Sequence, residues 1–201
     1  MTPLSMRGAR IYPGFLVPDR QSRIVALVRE IVRAAPLVRP VTSRGQKMSV
    51  RMTSAGRFGW LSDRRGYRYE ERHPLTSQPW PDIPDELTAL WAELCPEARD
   101  PECCLINFYS PDAKMGVHQD RDEADFTQPV VSISLGDDAL FRIGNHERGG
   151  KTESLWLSSG DVVVMEGDAR LRYHGVDRIR PAQSSLLKDG GRLNLTMRVV
   201  T

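Results

Sequence analysis

At 201 residues, with 40% hydrophobic and 27% charged residues and a net charge of +2, the chain has the composition of a soluble globular protein with one substantial core. No apolar run approaches a membrane span, and the opening MTPLSMRGARIYPGF is charged without an apolar stretch, so neither a span nor a secretory signal is expected. Cys95, Cys103 and Cys104 are odd in number and lack CxxC spacing, which argues against a disulfide framework and a structural zinc site and fits a reducing cytoplasm.

The first predicted element is a helix capped by Asp19, with Ile24, Leu27, Val28, Ile31 and Val32 on one stripe and Pro36 limiting its end. Next comes a basic segment. From Arg39 to Arg72 there are nine Lys/Arg against three Asp/Glu, so this stretch concentrates the positive charge of a nearly neutral chain. Such a segment is either a solvated face or a surface that meets phosphates. Its aromatics and arginines, in QKMSVRMTSAGRFGWLSDRRGYRYEERHP, show weak periodicity and read as short hairpins and loops. A second helix opens at Pro84 and Asp85, carries Leu87, Leu90, Trp91 and Leu94, and stops before Pro96.

After residue 100 the pattern changes to strands: CCLINFY, PVVSISL, ALFRIG, ESLWLSSGDVVVMEG, RLRYHGV and RLNLTMRVV. Strands at this spacing predict a mainly β, α+β fold, a sandwich or jelly roll with the helices packed outside, in a single domain. Alternation then sorts the side chains. In RLNLTMR, Arg192, Asn194, Thr196 and Arg198 share one face and Leu193, Leu195 and Met197 the other; Asn107 and Tyr109 likewise share a face. The polar row either meets water or lines a cavity for an anion with separated carboxylates, since guanidinium pairs bidentately with them.

VHQDRDE places His118, Asp120 and Asp122 on one side if it is extended, with Gln119 and Arg121 pointing away. Two ligands hold a metal weakly. His174, fifty-four residues after Asp120, is the third candidate, giving the two-His-one-carboxylate set of non-haem Fe(II) oxygenases or of catalytic zinc. His73, before Pro74, and His146, in a polar turn, are weaker candidates. Glu123 and Asp125 are assigned to solvent or to loop support.

In combination, CLINFYSPDAKMGVHQDRDE, PVVSISLG, SGDVVVMEGDARLRYHGV and RLNLTMR, with MSVRMTSAGRFGW and GYRY upstream, resemble the AlkB family of Fe(II)- and 2-oxoglutarate-dependent dioxygenases over residues 37–200. The resemblance implies a double-stranded β-helix (jelly-roll) core over about residues 100–200, flanking helices, and an N-terminal nucleotide-recognition lid over about 37–80. It implies Fe(II) on His118, Asp120 and His174, and 2-oxoglutarate on Asn107, Tyr109, Arg192, Asn194 and Arg198, with O2 as second cosubstrate. Of the two arginines, one would meet the distal carboxylate and the other the metal-bound end. Trp60, Tyr67 and Tyr69 would wall the target base, with Asp122 and Arg148 contributing to its recognition. Phe108 stands where close members carry Arg, on the face away from the cosubstrate, and the N-terminus is shorter than in some members.

The implied activity is oxidative demethylation of 1-methyladenine and 3-methylcytosine in DNA, with RNA as a further substrate, by a cytoplasmic monomer. A tRNA-modifying dioxygenase of the same fold is the rival reading. A non-catalytic nucleic-acid-binding module is the second, and it has no need of the triad or the arginines.

Overall fold

The computed structural model describes residues 2–201. In chain order it contains β1 (Leu4–Met6), β2 (Ala9–Tyr12), α1 (Pro18–Ala34), β3 (Arg51–Gly56), β4 (Gly59–Asp63) and β5 (Gly66–Glu70). There follow α2 (Asp85–Leu94), β6 (Cys103–Tyr109), β7 (Met115–His118), β8 (Val130–Gly136), β9 (Asp138–Ile143) and β10 (Glu153–Leu157). The last are β11 (Val162–Met165), β12 (His174–Arg180) and β13 (Arg192–Arg198).

The strands form a seven-stranded sheet, β1-β2-β11-β8-β13-β6-β3, a four-stranded sheet, β10-β9-β12-β7, and the β4–β5 hairpin. The strand neighbours are antiparallel throughout the larger sheet, and β13 lies between β8 and β6. This is the jelly-roll arrangement, and it explains why β13 alternates so cleanly. Its apolar row, Leu193, Leu195 and Met197, packs with Ile106 and Ile133 against Ile24, Val28, Leu87 and Trp91 of the two helices. Burying each such aliphatic side chain is worth about 1.5–3 kcal/mol before entropy is counted. The other row of β13 faces the space between the sheets. No helix among the described residues is long and apolar enough to cross a membrane.

Four local expectations change. Helix α1 begins with Pro18 at its first turn and Val17 at the cap position, so Asp19 lies inside the helix and caps nothing. Proline pre-sets the φ of a first helical residue and starts the helix early, while Asp19 still complements the dipole. The buried stripe is Gln21, Ile24, Val25, Val28 and Ile31, with Leu27 and Val32 only half-buried. The stretch RLRYHGV is not one strand: β12 starts at His174, because the Arg170 guanidinium is drawn inward to buried acceptors. Finally, the basic segment is not all short hairpins and loops. β3 is an edge strand of the larger sheet, paired to β6 from Arg51↔Phe108 to Gly56↔Cys103, and β1 and β2 extend that sheet's other side. Their short apolar runs gave no period to read.

Candidate active site: a His-Asp-His cluster above a buried arginine

Register brings the distant histidine home. His118, the last residue of β7, is the direct partner of His174, the first residue of β12, and their ring centroids lie 4.7 Å apart. Gly175 permits this approach, since a Cβ there would sit 2.6 Å from the Met115 carbonyl oxygen. β7 ends at His118, so residues 119–122 do not alternate as an extended strand would. Asp120 nevertheless turns inward, its Oδ1 3.6 Å from His118 Nε2 and its Oδ2 3.7 Å from His174 Nε2. One ligand atom from each of the three falls within 4.8 Å of the others.

The outer nitrogens fix the tautomers. His118 Nδ1 lies 2.9 Å from the Gly116 carbonyl and His174 Nδ1 3.0 Å from that of Arg172. A neutral imidazole that donates to a carbonyl from Nδ1 carries its lone pair on Nε2, the form in which each of these rings can offer a ligand atom to the shared point. Burial first, then the neighbouring His118, push His174 down to about 4, leaving it neutral as a ligand must be. Burial would raise the Asp120 carboxyl, but Arg198 and the two imidazoles outweigh it and hold it well below the usual carboxylate range. Two neutral-capable imidazoles and one ionised carboxylate, on one side of a cavity, suit a divalent cation with positions left open.

The cavity continues inward, with a volume of about 740 Å³. At its floor Arg192 is fully buried. It donates to Ser134 Oγ (2.8 Å) and the Leu157 carbonyl (3.5 Å), both neutral, and its Nε has no partner. Burial pushes this guanidinium down to about 10, which keeps it charged at neutral pH. Nearby Asn107 Oδ1 is also buried without a partner, and burial pushes the Tyr109 hydroxyl up to about 12. Tyr109 and Arg192 are register partners, as are Asn107 and Asn194. Asn194 donates to Ser132 Oγ at 2.8 Å. A buried cation with neutral partners and an orphaned donor is costly alone and is completed by an anionic oxygen. The residues present therefore fit a small dicarboxylate reaching from the cluster to Arg192.

At the mouth, Trp60 and Tyr67 stack with centroids 5.4 Å apart and planes 22° from parallel, so they form one wall with no gap between them. Trp60 Nε1 donates to Asp122 Oδ2 at 2.8 Å. Arg148, on the exposed loop between β9 and β10, lines the cavity from another side. Tyr69 departs from the expected set of walls. It does not line the cavity; its hydroxyl is turned beneath, onto Glu123 and Arg198. Glu123 is likewise not solvated: it is 5% exposed and ion-paired with Arg170. Asp125 is a loop support, accepting from the Thr127 backbone. Gln119 and Arg121 also line the cavity, and Gln119 donates to the His146 and Leu171 carbonyls. His73 is a buried structural residue between the Pro36 carbonyl and the Leu75 and Thr76 amides. Arg170 was the residue that sequence could not find, because nothing in RLRYHGV distinguishes a buried arginine from an exposed one.

Residues 8–198 match the family described as the 2OG-Fe(II) oxygenase superfamily. The chain is thus an oxygenase that uses Fe(II) and 2-oxoglutarate, in agreement with the donor set and the anion pocket. It is 51% identical over 191 residues to an alpha-ketoglutarate-dependent dioxygenase AlkB homolog of Caulobacter vibrioides (strain NA1000 / CB15N), covering 95% of this chain and 87% of the relative. It is 38% identical over 180 residues to alpha-ketoglutarate-dependent dioxygenase AlkB of Escherichia coli (strain K12), covering 88% of this chain and 83% of the relative. The solved structure of OsALKBH1 superposes with a TM-score of 0.83 at 30% identity, covering 98% of this chain and 100% of that one. The chain belongs to the AlkB family of 2-oxoglutarate-dependent dioxygenases.

Proposed function

We propose that the chain reverses alkylation damage by oxidatively demethylating 1-methyladenine and 3-methylcytosine in DNA and RNA, acting as a cytoplasmic monomer. The observation that carries this reading is the pairing of an aromatic wall with a carboxylate at the mouth: Trp60 stacked on Tyr67, its indole N–H holding Asp122. Both lesions are cationic near neutral pH. An aromatic face offers stacking to any base, and a carboxylate beside it adds Coulomb attraction for the charged ones.

In this reading His118, Asp120 and His174 hold the iron, whose bound form supplies, with 2-oxoglutarate and O2, oxidation of the N-methyl carbon so that formaldehyde leaves and succinate and CO2 are released. Arg192, with Tyr109 and Ser134 around it, holds the distal carboxylate of 2-oxoglutarate, and Asn107 and Asn194 orient its chain. Arg198 keeps Asp120 ionised beside the metal-bound end. Trp60 and Tyr67 stack against the extracted base, Asp122 selects its charge, and Arg148 reaches it from the far loop. The methyl group sits on the pairing edge, so the base must come from a single strand or be flipped, at about a few kcal/mol that is least for a lesion already unable to pair. The basic 39–72 segment meets the phosphates.

A succinate and formaldehyde assay with Fe(II) across oligonucleotides bearing 3-methylcytosine, 1-methyladenine and other methylated bases tests the proposal. Formaldehyde from single-stranded DNA carrying 3-methylcytosine is expected. Turnover confined to a tRNA modification would overturn it in favour of the tRNA-modifying reading, and nucleic-acid binding without succinate would favour a non-catalytic module.

A further inference from the structure

Glu123 belongs neither to the metal cluster nor to the anion pocket, and its side chain is only 1% exposed. A carboxylate so deep needs partners, and the three it has lead in different directions. Arg170 Nη2 lies 3.1 Å from Glu123 Oε2, and Arg170 is itself almost fully buried. The Tyr69 hydroxyl, from β5, donates to Glu123 Oε1. Arg198 Nε stands 3.6 Å from the same oxygen.

These partners converge again on Asp120. Arg170 Nη1 donates to the Asp120 backbone carbonyl at 2.6 Å, while its Nε donates to the Gln128 carbonyl at 2.9 Å. Arg198 Nη2 lies 3.0 Å from Asp120 Oδ1, and Arg198 Nη1 donates to the Tyr69 hydroxyl at 3.1 Å. The main chain of Asp120 is therefore tied to Glu123 through Arg170, and its carboxylate through Arg198. The only member of this network from the β4–β5 hairpin is Tyr69, whose register partner is Trp60 on the mouth. Two buried guanidiniums balance two buried carboxylates, so the network holds its shape without solvent, and hydrogen bonds in such a medium are stiff.

We propose that Glu123, clamped by Arg170, is a positioning residue that joins the recognition hairpin, through Tyr69, to the metal ligand Asp120, through Arg198. The hairpin's role rests on the function proposed above; the link to Asp120 does not. A hairpin set correctly by a base holds Tyr69, hence Glu123 and Arg198, in the arrangement that aims the Asp120 carboxylate. A hairpin out of place loosens it. Oxidation of cosubstrate is thereby kept in step with the presence of a base.

The test uses the full chain with Glu123→Gln and Tyr69→Phe. Co(II) serves as a spectroscopic probe of ligand geometry, alongside 2-oxoglutarate binding and the ratio of succinate to formaldehyde on a 3-methylcytosine oligonucleotide. Partners that orient metal ligands typically contribute roughly 10- to 100-fold in metal affinity or activity. Glu123→Gln is expected to lose Co(II) affinity in that range and to alter the cobalt absorption bands. Tyr69→Phe leaves the Arg170 pair intact; it is expected to keep Co(II) affinity, raise the KM for the oligonucleotide, and raise the succinate-to-formaldehyde ratio. Wild-type cobalt affinity and spectrum in folded Glu123→Gln, with only a lower Tm, would overturn the proposal. If Glu123→Gln does not fold, a wild-type ratio and KM in Tyr69→Phe would overturn it. The cobalt measurements need no nucleic acid, so failure of the proposed substrate class leaves the Asp120 link separately tested.

Discussion

Arg192 and Arg198 leave the same face of one strand, six residues apart, and live in opposite electrostatic surroundings. Arg198 is surrounded by acceptors that belong to the chain: Asp120 at 3.0 Å, Glu123 at 3.6 Å and the Tyr69 hydroxyl at 3.1 Å. Those carboxylates raise it well above the ordinary arginine range against the pull of burial. Arg192 has only a hydroxyl and a carbonyl, and burial lowers it. The Nε of each arginine lacks a hydrogen-bond partner, but that of Arg198 faces the Glu123 carboxylate at 3.6 Å. One arginine is neutralised by two carboxylates of the chain, one of them in the His-Asp-His cluster. The other pairs with no carboxylate among the described residues. An identical residue type, on an identical row, is charge-paired at one end and left with neutral partners at the other.

The contrast can be broken at several points. The largest effect is expected from Asp120→Ala, which removes a metal ligand and Arg198's nearest carboxylate together. Succinate release should fall to background while circular dichroism and some DNA binding persist; undiminished turnover would reject the ligand assignment. Next, Arg198→Met strands the buried Asp120 and Glu123 carboxylates, and loss of one partner from a buried pair costs about 3–5 kcal/mol. Urea unfolding should show that loss, with weaker 2-oxoglutarate binding beside it. Arg192→Met should do the reverse to stability, leaving ligand-free unfolding unchanged or improved, because a buried cation with neutral partners is gone. Its KM for 2-oxoglutarate should rise by about 30-fold or more, the equivalent of ~2 kcal/mol for truncating a buried charge pair. Equal destabilisation by both methionine variants would dissolve the distinction.

Smaller effects are expected at the mouth. Trp60→Ala should raise the KM for a methylated oligonucleotide about tenfold, within the ~1–3 kcal/mol of a base–aromatic stack, with 2-oxoglutarate binding unmoved. Asp122→Asn keeps an oxygen for the Trp60 N–H and loses only charge. Its preference for cationic over neutral lesions should shrink by less than about fivefold, as for a solvent-screened ion pair. A competition assay between 3-methylcytosine and a neutral methylated base reads that change.

The amino-acid order by itself determined the rows: which residues of β13 and β6 share a face, which stripe of α2 is buried, and that His118, Asp120 and His174 are the residues able to hold a metal. Periodicity carries that information because the geometry of a strand or helix is local. Local pattern failed where the chain leaves regular structure. Residues 119–123 follow no alternation once β7 ends, so Gln119 and Arg121 line the cavity and Glu123 turns inward. Tyr69 alternates with the mouth residues but is pulled under them by an acceptor fifty-four positions away. Only the tertiary structure decided which arginine is paired with carboxylates and which is not. That depends on carboxylates from distant loops entering the same dry space, and burial and pairing of charge are properties of the assembled fold, not of any stretch of sequence.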